Sequence, residues 1–226
     1  MAVTARSADE SVKRHPARLF AVPRPARATL VGVIVLGGLT AWLGLIEAPL
    51  PAAIEQGRAT IPIWRLLALA AAVLPVLALA SPLADLEEVA TSRLRAAQRT
   101  YLAVLSLAGA AIYLGLSALA VPVSVVGMMA RSWLGWLGLA LLAGAVLGWR
   151  LAWTLPVTVA VVLWYWGLHG EQYRWWEFSA RPIADLPSLV VSVALLSVGL
   201  VAYAATPWRR SRWRTLRAAR SRRNVS

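Results

Sequence analysis

The chain has 226 residues, of which 59% are hydrophobic and 15% charged, and 23 Lys and Arg against 10 Asp and Glu give a net charge of +13. Charges crowded into a few places between long apolar runs are the profile of an integral membrane protein. The absence of cysteine excludes disulfides, thiolate nucleophiles and cysteine metal sites, and leaves His15 and His169 as the only ordinary metal or acid-base candidates.

Residues 1–27 carry Arg6, Lys13, Arg14, Arg18, Arg24 and Arg27 with only Asp9 and Glu10 against them. Such a basic arm is expected to stay cytoplasmic. Its second half mixes Leu19, Phe20 and Val22 with arginines, which predicts a short interfacial segment whose basic side chains reach anionic headgroups. For residues 1–12 a disordered tail is the alternative. The apolar run that follows is long enough to span rather than be cleaved, so no signal peptide is expected.

A first spanning helix is predicted over Ala28 to Ile46, ended by a loop containing Pro49 and Pro51. A second covers Ile61 to Leu79, with Pro75 inside it and Arg65 near its outer end, from where the guanidinium can reach the interface. The stretch from Ser81 to Thr100 is the main charged interruption between apolar runs. Ser81 is a suitable N-cap and Pro82 fits the first helical position. Asp85, Glu87 and Glu88 come early and Arg93, Arg95 and Arg99 late, the order a helix dipole favours. Leu83, Leu86, Ala90, Leu94 and Ala97 share one face, so a helix over 82–99 can lie on a membrane surface or dock into a partner's groove. A solvated connector between two membrane helices is the plainer alternative.

A third helix fills Tyr101 to Ala120. The apolar run from Val121 to Gly148 is too long for one ordinary span and contains Arg131, which predicts a short outer or re-entrant segment at 121–131 before a fourth helix over Ser132 to Gly148. Trp149 and Arg150 read as an inner-interface anchor, and a fifth helix from Leu151 to Trp166 returns outward through Pro156. The loop 167–187 combines Tyr173, Arg174, Trp175, Trp176 and Glu177, the composition of a segment at the membrane-water boundary. A sixth helix spans Ser188 to Ala205, and Trp208 opens a basic tail over 208–226 with eight arginines.

The reading is therefore an all-α polytopic membrane protein with six transmembrane helices over 28–207 and both termini cytoplasmic. It places 18 of the 23 basic residues inside: six in the arm, three in the second-to-third connection, Arg150, and eight in the tail. Arg58, Arg65, Arg131, Arg174 and Arg181 are left outside, as the positive-inside rule requires. The net charge then serves the anionic lipids of the inner leaflet, and no nucleic-acid partner is expected.

Catalytic signatures are lacking: there is no Gly-x-Ser-x-Gly, His-Glu-x-x-His or phosphate-binding Gly-Lys-Ser/Thr sequence. Thr40, Ser106, Ser117, Thr154, Thr158, Ser192 and Ser197 are isolated hydroxyls expected to bond back to their own helices. His169, Glu171 and Glu177 form a weak metal or acid-base set without a fourth ligand. Glycines such as Gly37, Gly38, Gly115, Gly138 and Gly144 allow close helix packing, within the chain or against a second subunit.

The layout resembles a type-2 ATP-binding-cassette exporter permease, and the segment Trp133 to Pro156 is similar to the fourth and fifth helices of small actinobacterial members. Residues 15–25 resemble that family's connecting helix, Leu83 to Arg95 its coupling helix, and Gly167 to Pro187 its outer re-entrant segment. The chain is short for the family and lacks large external domains. The resemblance implies a non-enzymatic transport subunit in the plasma membrane with no cofactor of its own. ATP would be bound and cleaved by a separate nucleotide-binding subunit touching Leu83, Asp85, Leu86, Glu87, Glu88 and Arg95, and a second permease, identical or different, would complete the substrate path for a lipid, peptide or antibiotic. A non-transporting membrane subunit or assembly factor remains an alternative, as does a polytopic lipid-modifying enzyme using His169, Glu171, Arg174 and Glu177.

Overall fold

The computed structural model describes residues 25–50, 59–80, 92–169 and 172–223. Among them are six α-helices: α1 (Ala26–Leu43), α2 (Trp64–Leu77), α3 (Ser92–Ser117), α4 (Val123–Leu147), α5 (Thr154–Trp166) and α6 (Leu186–Arg223). Two antiparallel hairpins interrupt the otherwise helical chain. Strands β1 (Glu47–Leu50) and β2 (Ala59–Pro62) join α1 to α2 with Glu47 opposite Pro62, and β3 (Leu168–His169) with β4 (Gln172–Tyr173) follow α5.

Among the described residues, four segments are long and apolar enough to cross a membrane: Ala26–Leu43, Ala96–Ser117, Val123–Leu147 and Leu186–Ala205. This is a multi-pass, mostly helical membrane protein. Exposed Val31, Ile34 and Val35 on α1 and Val190, Val193 and Val201 on α6 present apolar side chains outward, as helices in lipid do.

The helices alternate in direction. The Ile63 N–H donates to Ile46 O and the Trp64 N–H to Gly44 O, so the end of α1 lies beside the start of α2. Gly138 of α4 crosses α6 at Leu195 and Gly199, while Trp149 meets Tyr203 further along, so α4 and α6 run parallel and in direct contact. A Cβ on Gly138 would sit 2.3 Å from the Leu195 carbonyl oxygen, and glycine is what lets these backbones touch. The core centres on α2 and α4, where Ala68, Ala72, Val76, Met129, Trp133 and Trp136 are buried together.

Several boundaries correct the sequence reading. Residues 121–131 are not a separate segment. Pro122 caps a single helix that runs 25 residues, about 37 Å at 1.5 Å per residue, because nothing between Val123 and Leu147 breaks it and the Arg131 charge finds partners where it stands. The third helix starts at Ser92, not Tyr101: the change from amphipathic to apolar sequence at Thr100 is a change of surroundings without a backbone breaker. The sixth helix likewise passes the expected stop at Ala205 and continues to Arg223. The fifth begins at Thr154 after a 3-10 turn over Trp149–Leu151, entered through Gly148 at φ 106°, a backbone conformation open mainly to glycine.

Candidate functional site

The polar cluster of interest is built where the loop after β4 folds inward at the end of the bundle that holds the α1–α2 and α5–α6 connections. The Arg174 N–H donates to Gly167 O and the Glu177 N–H to Arg174 O, which turns the chain so that residues 177–179 point into the protein. Glu177 is wholly buried and Arg65, in the first turn of α2, is 3% exposed. Arg65 Nη2 donates to Glu177 Oε2 at 2.6 Å and to Ser179 Oγ at 2.7 Å. The second carboxylate oxygen accepts from the Ser179 N–H at 2.9 Å and its hydroxyl at 2.8 Å. The carboxylate thus receives both charged and neutral donors, the condition under which a buried ion pair is tolerated.

Arg131, 5% exposed within α4, is held by the same loop. Its Nη1 donates to Pro182 O at 2.8 Å and its Nη2 to Arg181 O at 2.5 Å. Between these two anchors Phe178 fills the space that a side chain at Gly135 would occupy and packs on Trp136 with ring centroids 4.9 Å apart, while Ile183 covers Gly127. From Gly127 to Gly135 the loop follows α4 for two turns, about 12 Å. Asp185 then closes the loop, pairing with Arg181 at 3.0 Å and accepting from the Ser188 N–H at 3.0 Å at the start of α6. Hydrogen bonding from the Ser188 side chain holds the Asp185 carboxyl below its ordinary range, with burial opposing and the Ser188 backbone N–H, Arg181 and Arg131 assisting.

The outer-loop residues expected to act together are divided. Tyr173, Arg174 and Trp175 are exposed, Trp175 at 69%, and Trp176 is half-buried. Glu177 is not at a boundary surface but inside, because Arg65 draws it there. Arg65 correspondingly does not reach for the interface as expected. Of the set His169, Glu171 and Glu177, the Glu177 carboxylate is committed to Arg65 and Ser179, and Glu171 lies outside the described residues. No group of three metal-ligating side chains occurs among the described residues. Of the predicted ATPase contacts, Leu83, Asp85, Leu86, Glu87 and Glu88 lie outside the described residues, and Arg95 is in the first turn of α3.

Five of the seven hydroxyls set in apolar helices bond back to their own helix, Thr40 to Leu36 O, Ser117 to Tyr113 O, Thr158 to Thr154 O, Ser192 to Ser188 O and Ser197 to Val193 O, while Thr154 donates to Leu151 O in the preceding 3-10 turn. Thr40 also meets the Tyr113 hydroxyl at 3.1 Å, and the buried Ser106 hydroxyl has no partner among the described residues. The sequence reading missed the Arg65–Glu177 pair, the role of Ser179, and the carbonyl anchor of Arg131. A usable signal existed: Arg65 and Arg131 are ionisable residues inside apolar helices, and each needs a partner brought to it. No protein-family model, curated protein or solved structure matches this chain.

Proposed function

We propose that this chain is the transmembrane permease subunit of an ATP-driven exporter in the plasma membrane, crossing six times with both ends in the cytoplasm and moving an amphiphilic substrate. The observation that carries the reading is how polarity is distributed between the two ends of the bundle. The buried ion pair and the Arg131 anchor lie at one end, and the helix hydroxyls are mostly spent on their own helices, which leaves no chain of titratable groups among the described residues to couple transport to an ion gradient. Energy must then come from another protein. The alternation of helix direction supports an accessible place for it, since Ala80 and Ser92 flank the acidic stretch at the end shared by both described chain ends and the Gly148 turn.

Two helices are short for a crossing. At 14 and 13 residues, α2 and α5 rise about 21 Å and 20 Å, against about 30 Å of hydrocarbon. Ten residues of α2 are buried, so it meets protein along most of its surface and is not obliged to match the lipid. The 3-10 turn before α5 adds to its reach.

The chain has no cysteine, so a single Glu88→Cys variant can be labelled cleanly. A membrane-impermeant maleimide is expected to modify it only after cells are opened, and a neighbouring ATPase with a Gly-Lys-Ser/Thr loop is expected to copurify with the wild type and to be lost in Leu86→Ala/Glu88→Arg. Labelling on intact cells, or copurification indifferent to the double substitution, would overturn the proposal.

A further inference from the structure

The loop segment 177–182 supplies every hydrogen-bond acceptor that the structure gives to Arg65 and Arg131. Both guanidiniums nevertheless keep a buried Nε–H with no acceptor among the described residues. Charge is unbalanced in the same direction. Glu177 pairs with Arg65 and Asp185 with Arg181, while Arg131 has two carbonyl oxygens and, among the described residues, no carboxylate within ion-pair distance. A guanidinium carries five donors in a planar fork, which suits the several oxygens of a phosphate better than the two separate carbonyl oxygens that Arg131 meets. The Ser179 backbone N–H and hydroxyl both donate to Glu177 Oε1 and so help to hold this segment closed over the two guanidiniums.

We infer that the 177–182 segment is a strap over a phosphate-binding site: when it lifts, Arg65 and Arg131 take a phosphate group, and the Glu177 carboxylate is the internal anion that this group displaces. Exposed Tyr173, Arg174 and Trp175 at the strap's leading edge suit entry from the headgroup layer. The inference deepens the transport reading by assigning its substrate a phosphate headgroup, yet binding requires no ATPase, so either can fail without the other.

Calorimetric titration of the full chain in dodecyl maltoside tests it, using monomeric dihexanoyl phosphatidic acid, inorganic phosphate and phosphate-free dihexanoyl glycerol. The phosphatidic acid is expected to bind and the glycerol not. Equal affinity for inorganic phosphate identifies a free anion as the source, and binding of the lipid alone identifies a headgroup; both support the site. Glu177→Gln removes the competing charge and is expected to tighten binding about tenfold. Arg65→Gln and Arg131→Gln are each expected to weaken it at least tenfold, Arg65→Lys less, and Arg150→Gln, the same charge change at the far end, less than twofold. Should Glu177→Gln prove too unstable to purify, Ser179→Ala loosens the same strap and is expected to tighten binding severalfold. Unchanged affinity in Arg131→Gln, equal loss in Arg150→Gln, or no gain on loosening the strap would overturn the inference.

Discussion

Replacing Glu177 by alanine gives the sharpest test of how the inward loop is held. The change deletes the oxygen that receives Arg65 Nη2 at 2.6 Å and the one that receives two donors from Ser179. Arg65 is 3% exposed and keeps only the Ser179 hydroxyl, which has itself lost its acceptor. Removing one member of a buried pair costs about 3–5 kcal/mol, because the remaining charge is left without compensation. We expect about 4 kcal/mol, read as the shift of SDS-induced unfolding in mixed micelles followed by circular dichroism. The double variant Arg65→Leu/Glu177→Leu removes both charges and is expected to cost less than Glu177→Ala alone, since an apolar pair of similar volume is often no less stable. A Glu177→Ala loss under about 1 kcal/mol, or a double variant that loses as much as the two singles together, would refute the claim that the pair and not the surrounding packing holds the loop.

Other positions separate packing from backbone and charge effects. Gly138→Ala puts a methyl 2.3 Å from the Leu195 carbonyl oxygen and is expected to cost about 1–3 kcal/mol in the same unfolding assay, whereas Gly38→Ala and Gly115→Ala, which meet nothing within 4 Å, are expected to be neutral or slightly stabilising. Gly148→Ala has room for its methyl but forces a non-glycine residue to φ 106° and is expected to cost about 1–3 kcal/mol. Asp185 contributes with a definite pH sign. Its carboxyl titrates lower in the folded protein, so its stabilisation is complete above the unfolded value of about 3.9 and fades as pH falls through the lower folded value. Asp185→Ala is expected to cost about 0.5–2 kcal/mol at neutral pH, as loss of a helix cap does, and to flatten the acid limb of the stability profile.

The helices are legible in the sequence because apolar length and a few breakers decide them. The polar stretch after Trp166 ends the fifth helix where expected, whereas the third stops at Ser117, ahead of Pro122, which caps the start of α4. Two of the differences share one cause: a polar residue inside an apolar run is not a backbone breaker. Thr100 and Arg131 change a helix's surroundings without altering its backbone preferences, so α3 and α4 run through both. The hairpin of β1 and β2 escapes sequence reading because Pro49 and Pro51 argue against strands, yet the first of them pairs with Thr60 in a two-stranded ladder that has free edges on both sides. The candidate site is half legible. Tyr173, Trp175 and Glu177 mark the right loop, but composition gives no direction to a side chain, and the residue that decides the direction of Glu177 lies 112 positions earlier in Arg65.

That separation explains why the loop folds inward at all. A guanidinium inside an apolar bundle cannot be left to itself, and water is not at hand to solvate it, so the cost of each buried arginine falls on whichever neighbouring segment can supply oxygens. Helices cannot, because their carbonyls are already used. The connection between α5 and α6 can: it offers a carboxylate at Glu177, a hydroxyl at Ser179 and the non-helical carbonyls of Arg181 and Pro182 within six residues. Arg65 and Arg131 therefore act as two posts, on α2 and α4, that pull one strap between them, and Phe178 occupies the apolar gap in between against Gly135 and Trp136. Any motion that separates α2 from α4 at this end must release one post or the other. Helix movement and the loss of partners for a buried cation are thereby one event.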